Sequence, residues 1–214
     1  MNLSTSIGLY AVITKELKQP LIFPGSLRCY TGFDCFSGSK LHAEFNLWAA
    51  LEPKCSNQAF NIFNGDVQSW QNLWPKLARK FGLDIPEDQF TSKRDDKIVD
   101  LAELPPLADH AKAMGIQQHV SRGKLISHID LVAWSQRAEV KDAWQRLADR
   151  HGLQKDALGQ ATWEFVNFIL GRNYDVVIDM TKARRFGWNG WADTWEVLEE
   201  SLDGLAKDKV LPKM

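Results

Sequence analysis

Apolar residues recur at helical spacing along much of the chain. Leu3, Ile7, Tyr10 and Leu17 mark one stripe of a helix over residues 3–18, and Gln19-Pro20 stops it. Leu21-Ile22-Phe23 reads as a short apolar strand closed by Pro24-Gly25. A loop follows over residues 26–38, then a helix over residues 39–51 with Leu41, Phe45 and Trp48 on one face. Ala59–Phe63 has the strongest strand pattern in the chain. Asn64-Gly65-Asp66 turns it into a further helix, with Asp66 as the expected N-cap and Gly82 as the stop. Trp70, Leu73, Trp74, Leu77 and Phe81 stripe that helix, and Pro75 is expected to kink it.

Residues 84–97 change character, becoming polar and ending in Lys93-Arg94-Asp95-Asp96-Lys97, the pattern of a linker or surface excursion. Pro105-Pro106 and Gly115 break residues 98–133 into short helical pieces. Val140, Trp144 and Leu147 stripe a helix ending at His151-Gly152, and Leu158, Phe165 and Phe168 stripe the next, ending at Gly171. Val176-Val177-Ile178 fits a short strand or an apolar helical turn. The last helix opens on Asp193 with Glu196 three residues on, a capping-box arrangement, and carries Trp195, Leu198, Leu202 and Leu205. The pattern is that of an α+β, mostly helical chain in which a strand such as Ala59–Phe63 finds few neighbours. Two parts are expected within one compact unit, residues 1–83 and a mostly helical lobe over 84–214.

Composition narrows the functional classes. Net charge is −1 over 214 residues, so no bulk attraction to nucleic acid is expected, and Lys182-Ala183-Arg184-Arg185 reads as a solvated helix end. Nine tryptophans point to a bulky core, a hydrophobic ligand pocket, or both. No apolar run approaches the ~20 residues of a membrane span. The N-terminus has no basic n-region, and Cys29, Cys35 and Cys55 lack CxxC spacing. A cytoplasmic protein with free thiols is therefore expected.

Catalytic motifs are scarce. No glycine-rich turn follows a strand, Gly187 and Gly190 being the nearest pair, so no dinucleotide cradle and no cofactor are expected. A short-chain dehydrogenase needs a Tyr with a Lys four residues later. Tyr10, Tyr30 and Tyr174 are followed at that spacing by Thr14, Asp34 and Ile178. His110, His119 and His128 are nine apart, which puts successive rings on opposite helix faces, so no metal site is expected. His128 and Asp130, two apart, do not share a helix face either.

Two stretches carry a family resemblance. One is Asn57-Gln58-Ala59-Phe60-Asn61-Ile62-Phe63-Asn64-Gly65-Asp66, with Trp70-Gln71-Asn72-Leu73-Trp74 and Phe81-Gly82. The other runs from Trp163 to Pro212 and includes Phe165, Ile169-Leu170-Gly171, Asp175, Lys182, Arg184, Gly187 and Asp193-Thr194. The opening Met1-Asn2-Leu3, Tyr10-Ala11 and Leu21-Ile22-Phe23-Pro24-Gly25 agree. Together they resemble the second half of progesterone 5β-reductase/iridoid synthase-like extended short-chain dehydrogenases. That resemblance implies a substrate lobe plus the last sheet strand, without the Rossmann half that brings NADPH and the catalytic Tyr and Lys in such reductases. It implies a pocket for a hydrophobic carbonyl compound, a terpenoid or polyketide, lined by Asn2, Ser6, Tyr10, Trp163 and Phe165. Tyr10, Tyr30, Asp34 and His42 are the candidate polar groups for a nucleotide-free isomerisation or cyclisation. The alternatives are part of an NADPH-dependent enone reductase and a non-catalytic binding module. A homodimer or complex covering the Ala59–Phe63 edge is expected under each.

Overall fold

The computed structural model describes residues 2–91 and 96–213; Lys93, Arg94 and Asp95 of the charged cluster lie outside them. In chain order the helices are α1 (Leu3–Glu16), α2 (Leu27–Thr31), α3 (Ser39–Leu51) and α4 (Trp70–Phe81). Two strands follow, β1 (Lys97–Asp100) and β2 (Lys124–Ser127). The remaining helices are α5 (Leu131–Ser135), α6 (Ala138–His151), α7 (Ala157–Gln160), α8 (Trp163–Gly171), α9 (Thr181–Arg185) and α10 (Thr194–Lys207). The chain is thus mostly helical, with one two-stranded sheet and no Rossmann sheet among the described residues.

Helix α1 is the axis of the core. Asn2 caps it, its Oδ1 accepting from the Ser4 and Thr5 amides. Every residue from Ser6 to Thr14 is buried, so the helix is enclosed on all sides and not along one stripe. It packs on α4, α6, α8 and α10. The main apolar cluster joins Ile7, Leu9 and Ile13 to Trp70, Trp74 and Phe81 of α4 and to Val166, Leu170 and Leu202. Each fully buried large side chain contributes roughly 1.5–3 kcal/mol. Trp74 is fixed by its indole N–H, which donates to the Leu21 carbonyl at 3.1 Å. A smaller cluster of Leu41, Phe45, Phe63, Met180, Ala183 and Trp188 sits under α3 and α9.

Caps legible in the sequence form as expected. Gly82 and Gly152 end α4 and α6 in the left-handed conformation, and Asp193 accepts from the Glu196 amide to open α10. Other expectations change. Asp66 does not cap α4. Ser69 holds that position, and Asp66 instead accepts from the amide and hydroxyl of Thr194 at 3.0 and 2.6 Å. The helix does continue through Pro75 to Phe81, as its apolar stripe indicates.

Leu21–Phe23 and Ala59–Phe63 are neither strands nor helices. The Phe23 amide donates to the Gln89 side chain, and the Asn64 amide to the Phe36 carbonyl, because no strand lies alongside either segment. Val176–Ile178 is neither strand nor helix; the Val176 amide donates to the Phe33 carbonyl. The Leu158–Phe168 stripe is split between α7 and α8.

The short helical pieces expected over residues 98–133 form as 3-10 turns at Pro106–His110 and Gln117–His119 and as α5, and the unexpected sheet pairs the segments on either side of the two turns, with Lys97 opposite Ser127 and Asp100 opposite Lys124. Gly25 and Arg172 each bridge to β2, at Ser127 and Leu125. A methyl group on Gly25 would sit 1.7 Å from the Leu170 carbonyl oxygen, so only glycine permits that approach.

Candidate functional site

A cavity of about 440 Å³ opens between the start of α1, the 34–39 loop, α4, α8 and α10. Leu3, Phe36, Trp70, Leu73, Phe165, Ile169 and Leu198 give it an apolar wall. Asn2, Ser4, Ser37, Ser39 and Ser201 add neutral polar groups. Its volume suits a small organic molecule.

The loop wall is held by a buried polar network. Asn64 is fully buried; its Oδ1 accepts from the Gly38 amide at 2.7 Å and its Nδ2 donates to Thr194 Oγ1 at 2.9 Å. Thr194 donates onward to Asp66, so the 36–39 loop and the start of α10 are tied to one another.

Asp34 and Arg172 form a buried ion pair at the cavity's edge. Burial pushes the Asp34 carboxyl above its ordinary value, and the Arg172 guanidinium opposes that shift. Burial likewise raises the Cys35 thiol in the cavity wall and takes the nearby Cys29 thiol to about 12. Neither is an activated nucleophile.

The residues singled out from sequence do not all converge. Asn2, Asp34 and Phe165 line this cavity. Ser6 is buried inside α1, its hydroxyl without a hydrogen-bond partner among the described residues. Trp163 is a core residue whose indole N–H donates to the Leu158 carbonyl at 3.0 Å and whose ring meets Trp134 edge-on. Tyr30 packs on Phe23 and Phe90, its phenol raised by burial. His42 is exposed on α3.

Tyr10 lines a second cavity of about 520 Å³ and donates to the Ile22 carbonyl at 2.9 Å. There Lys97 meets Asp130 at 2.6 Å, and His128 pairs with Asp96. Burial pushes the Asp130 carboxyl up, but Lys97 and the α5 amides outweigh it and hold the group below its ordinary value. His128 and Asp130 thus take different partners.

Arg172, Trp70 and Thr194 join the first cavity without having been singled out as site residues. Trp70 and Thr194 lie in the motif stretches that carry the family resemblance. Arg172 falls in the second stretch as well, directly after Ile169-Leu170-Gly171, but is not among the residues that carry the resemblance.

No three His, Cys, Asp or Glu side chains cluster at metal-binding range among the described residues. Gly190 serves the packing of Trp188, since a methyl group there would lie 2.0 Å from the indole ring; it does not cradle a phosphate. No described helix is long and apolar enough to cross a membrane.

No protein-family model matches the chain. It is 40% identical, over its whole length, to 53% of an uncharacterized protein of Schizosaccharomyces pombe. It is 26% identical, again over its whole length, to 50% of a short chain dehydrogenase of Penicillium aethiopicum. Over 99% of its length it is 27% identical to 45% of an (S)-8-oxocitronellyl enol synthase of Camptotheca acuminata. The chain therefore spans about half the length of the curated relatives it matches.

Proposed function

Since the chain belongs to the progesterone 5β-reductase/iridoid synthase-like short-chain dehydrogenases, matching about half their length, we propose that its first cavity holds a hydrophobic carbonyl-containing natural product, a terpenoid or polyketide, for isomerisation or cyclisation. The supporting observation is the cavity itself: an apolar wall with Asp34 and Arg172 at one edge, its loop fixed by Asn64 and Thr194. A shaped apolar site lowers a barrier by holding a reactive conformer, and a fixed N–H donor polarises a carbonyl in low dielectric. Phe165 would pack on the carbon skeleton, and Arg172 would face the oxygen.

No glycine-rich turn follows β1 or β2 among the described residues, so no hydride step is assigned to them. A second reading rests on the length comparison. The relatives carry roughly as much chain again, and beside such a segment the same cavity would hold the acceptor of an NADPH-dependent reduction. Incubating the chain with enal and enone terpenoids, without nucleotide, separates these readings. An isomerised or cyclised product absent from the buffer control is expected. A product profile identical to buffer removes the nucleotide-free reaction for those compounds.

A further inference from the structure

Among the described residues, Asp34 and Arg172 are the only charged side chains lining the first cavity. Their side chains are only 8% and 10% exposed. Both are held from behind. Asp34 Oδ1 accepts from the Cys35 amide at 2.9 Å, and its backbone exchanges hydrogen bonds with Gln68 at 2.8 and 2.9 Å. Arg172 donates through Nη2 to Asp34 Oδ2 and through Nε to the Ile169 carbonyl at 3.4 Å, with its guanidinium 5.8 Å from the Phe168 ring. A guanidinium carries five N–H groups, and Nη1 makes no hydrogen bond to a described residue. Arg172 thus brings an uncommitted N–H donor to a lining whose formal charge sums to zero.

We propose that this pair selects the ligand's oxidation level: Arg172 Nη1 donates to the oxygen of a neutral carbonyl, while Asp34 cancels the guanidinium charge so that the carboxylate of the same skeleton is rejected. The inference rests on the first cavity being a ligand site. A neutral carbonyl enters with little desolvation and gains a charge-assisted hydrogen bond. A carboxylate would lose its hydration in an apolar cavity, meet no net positive charge and face Asp34. Asp34 therefore acts as a specificity residue through Arg172, and it would do so whatever reaction follows.

Titration of tryptophan fluorescence with geranial and with geranate, at neutral pH, tests this. Trp70 in the wall makes binding visible. The unmodified chain should bind geranial at least ~tenfold more tightly than geranate. Asp34→Asn leaves Arg172 cationic and should cut that preference by at least ~tenfold, chiefly by improving geranate. The double variant Asp34→Asn/Arg172→Gln, neutral again, should restore rejection of the acid and weaken geranial. The first comparison needs no variant, so a misfolded variant does not shield the proposal. Equal affinities in the unmodified chain, or an unchanged preference in folded Asp34→Asn, overturn the assignment while leaving the cavity as a ligand site. Saturable quenching by neither compound removes the ligand site and this inference with it.

Discussion

The two cavities are similar in size but differ in how they keep charge. The first holds its ion pair out of water, with Arg172 and Asp34 sealed beside Phe168 and the 34–38 loop. The second carries Lys97 and Asp130 at its rim, where the lysine is half exposed. A buried pair is sensitive to loss of either partner, because the survivor is left charged and desolvated. An exposed pair loses little, because water replaces the partner. The difference makes the first cavity a selective environment and the second a solvated cleft beside a core tyrosine.

The most severe way to break this comparison is Arg172→Met, which leaves Asp34 buried alone. It should destabilise the chain by about 3–5 kcal/mol in urea unfolding, whereas Lys97→Met should cost less than ~1 kcal/mol. Equal losses would mean that the two pairs share one environment.

Asn64→Ala cuts the ties from the 36–39 loop to α10 and leaves the Gly38 amide and the Thr194 side chain short of a partner. A loss of roughly 2–3 kcal/mol is expected by the same measurement. Phe165→Ala and Tyr10→Phe separate the cavities by function. Phe165→Ala should weaken geranial about tenfold by removing apolar contact. Tyr10→Phe should leave geranial affinity unchanged and cost ~1 kcal/mol of stability through the lost bond to the Ile22 carbonyl.

The smallest effect is a difference in the sign of the pH response. Glu16 is held below its ordinary value of 4.5, first by its hydrogen bond from Arg150. Its contribution is present above 4.5 and lost as pH falls through the lowered folded value. The stability advantage of the unmodified chain over Glu16→Gln should therefore grow as pH rises from acid to neutral. Asp34 is raised above 3.8, so its contribution is complete below that value and declines as pH rises through the folded one. The difference between the unmodified chain and Asp34→Asn should move the opposite way. Parallel slopes would show that Asp34 is not desolvated.

Local chemistry was readable residue by residue, and tertiary neighbours decided the rest. The sequence alone determined α1, α3, α4, α6 and α10, because their apolar spacing, the stops at Gly82 and Gly152 and the start at Asp193 act within a few residues. It also carried the family resemblance, through stretches such as Asn57–Asp66 and Trp163–Pro212; of the five pocket residues that resemblance implies, Asn2 and Phe165 line the first cavity and Ser6, Tyr10 and Trp163 do not. It could not decide whether Ala59–Phe63 becomes a strand, since an extended segment needs a partner that its own residues do not specify. Nor could it show that β1 and β2 would pair across more than twenty residues of loop and short 3-10 turns. The candidate polar residues divide for the same reason. Asp34 acquires its character from burial and from Arg172, 138 positions away. Tyr10 is directed into a different cavity by the Ile22 carbonyl, and His42 is left in solvent on the outer face of α3. Hydrophobic periodicity is a property of one helix, whereas a cavity and the charge it tolerates belong to the elements that enclose it.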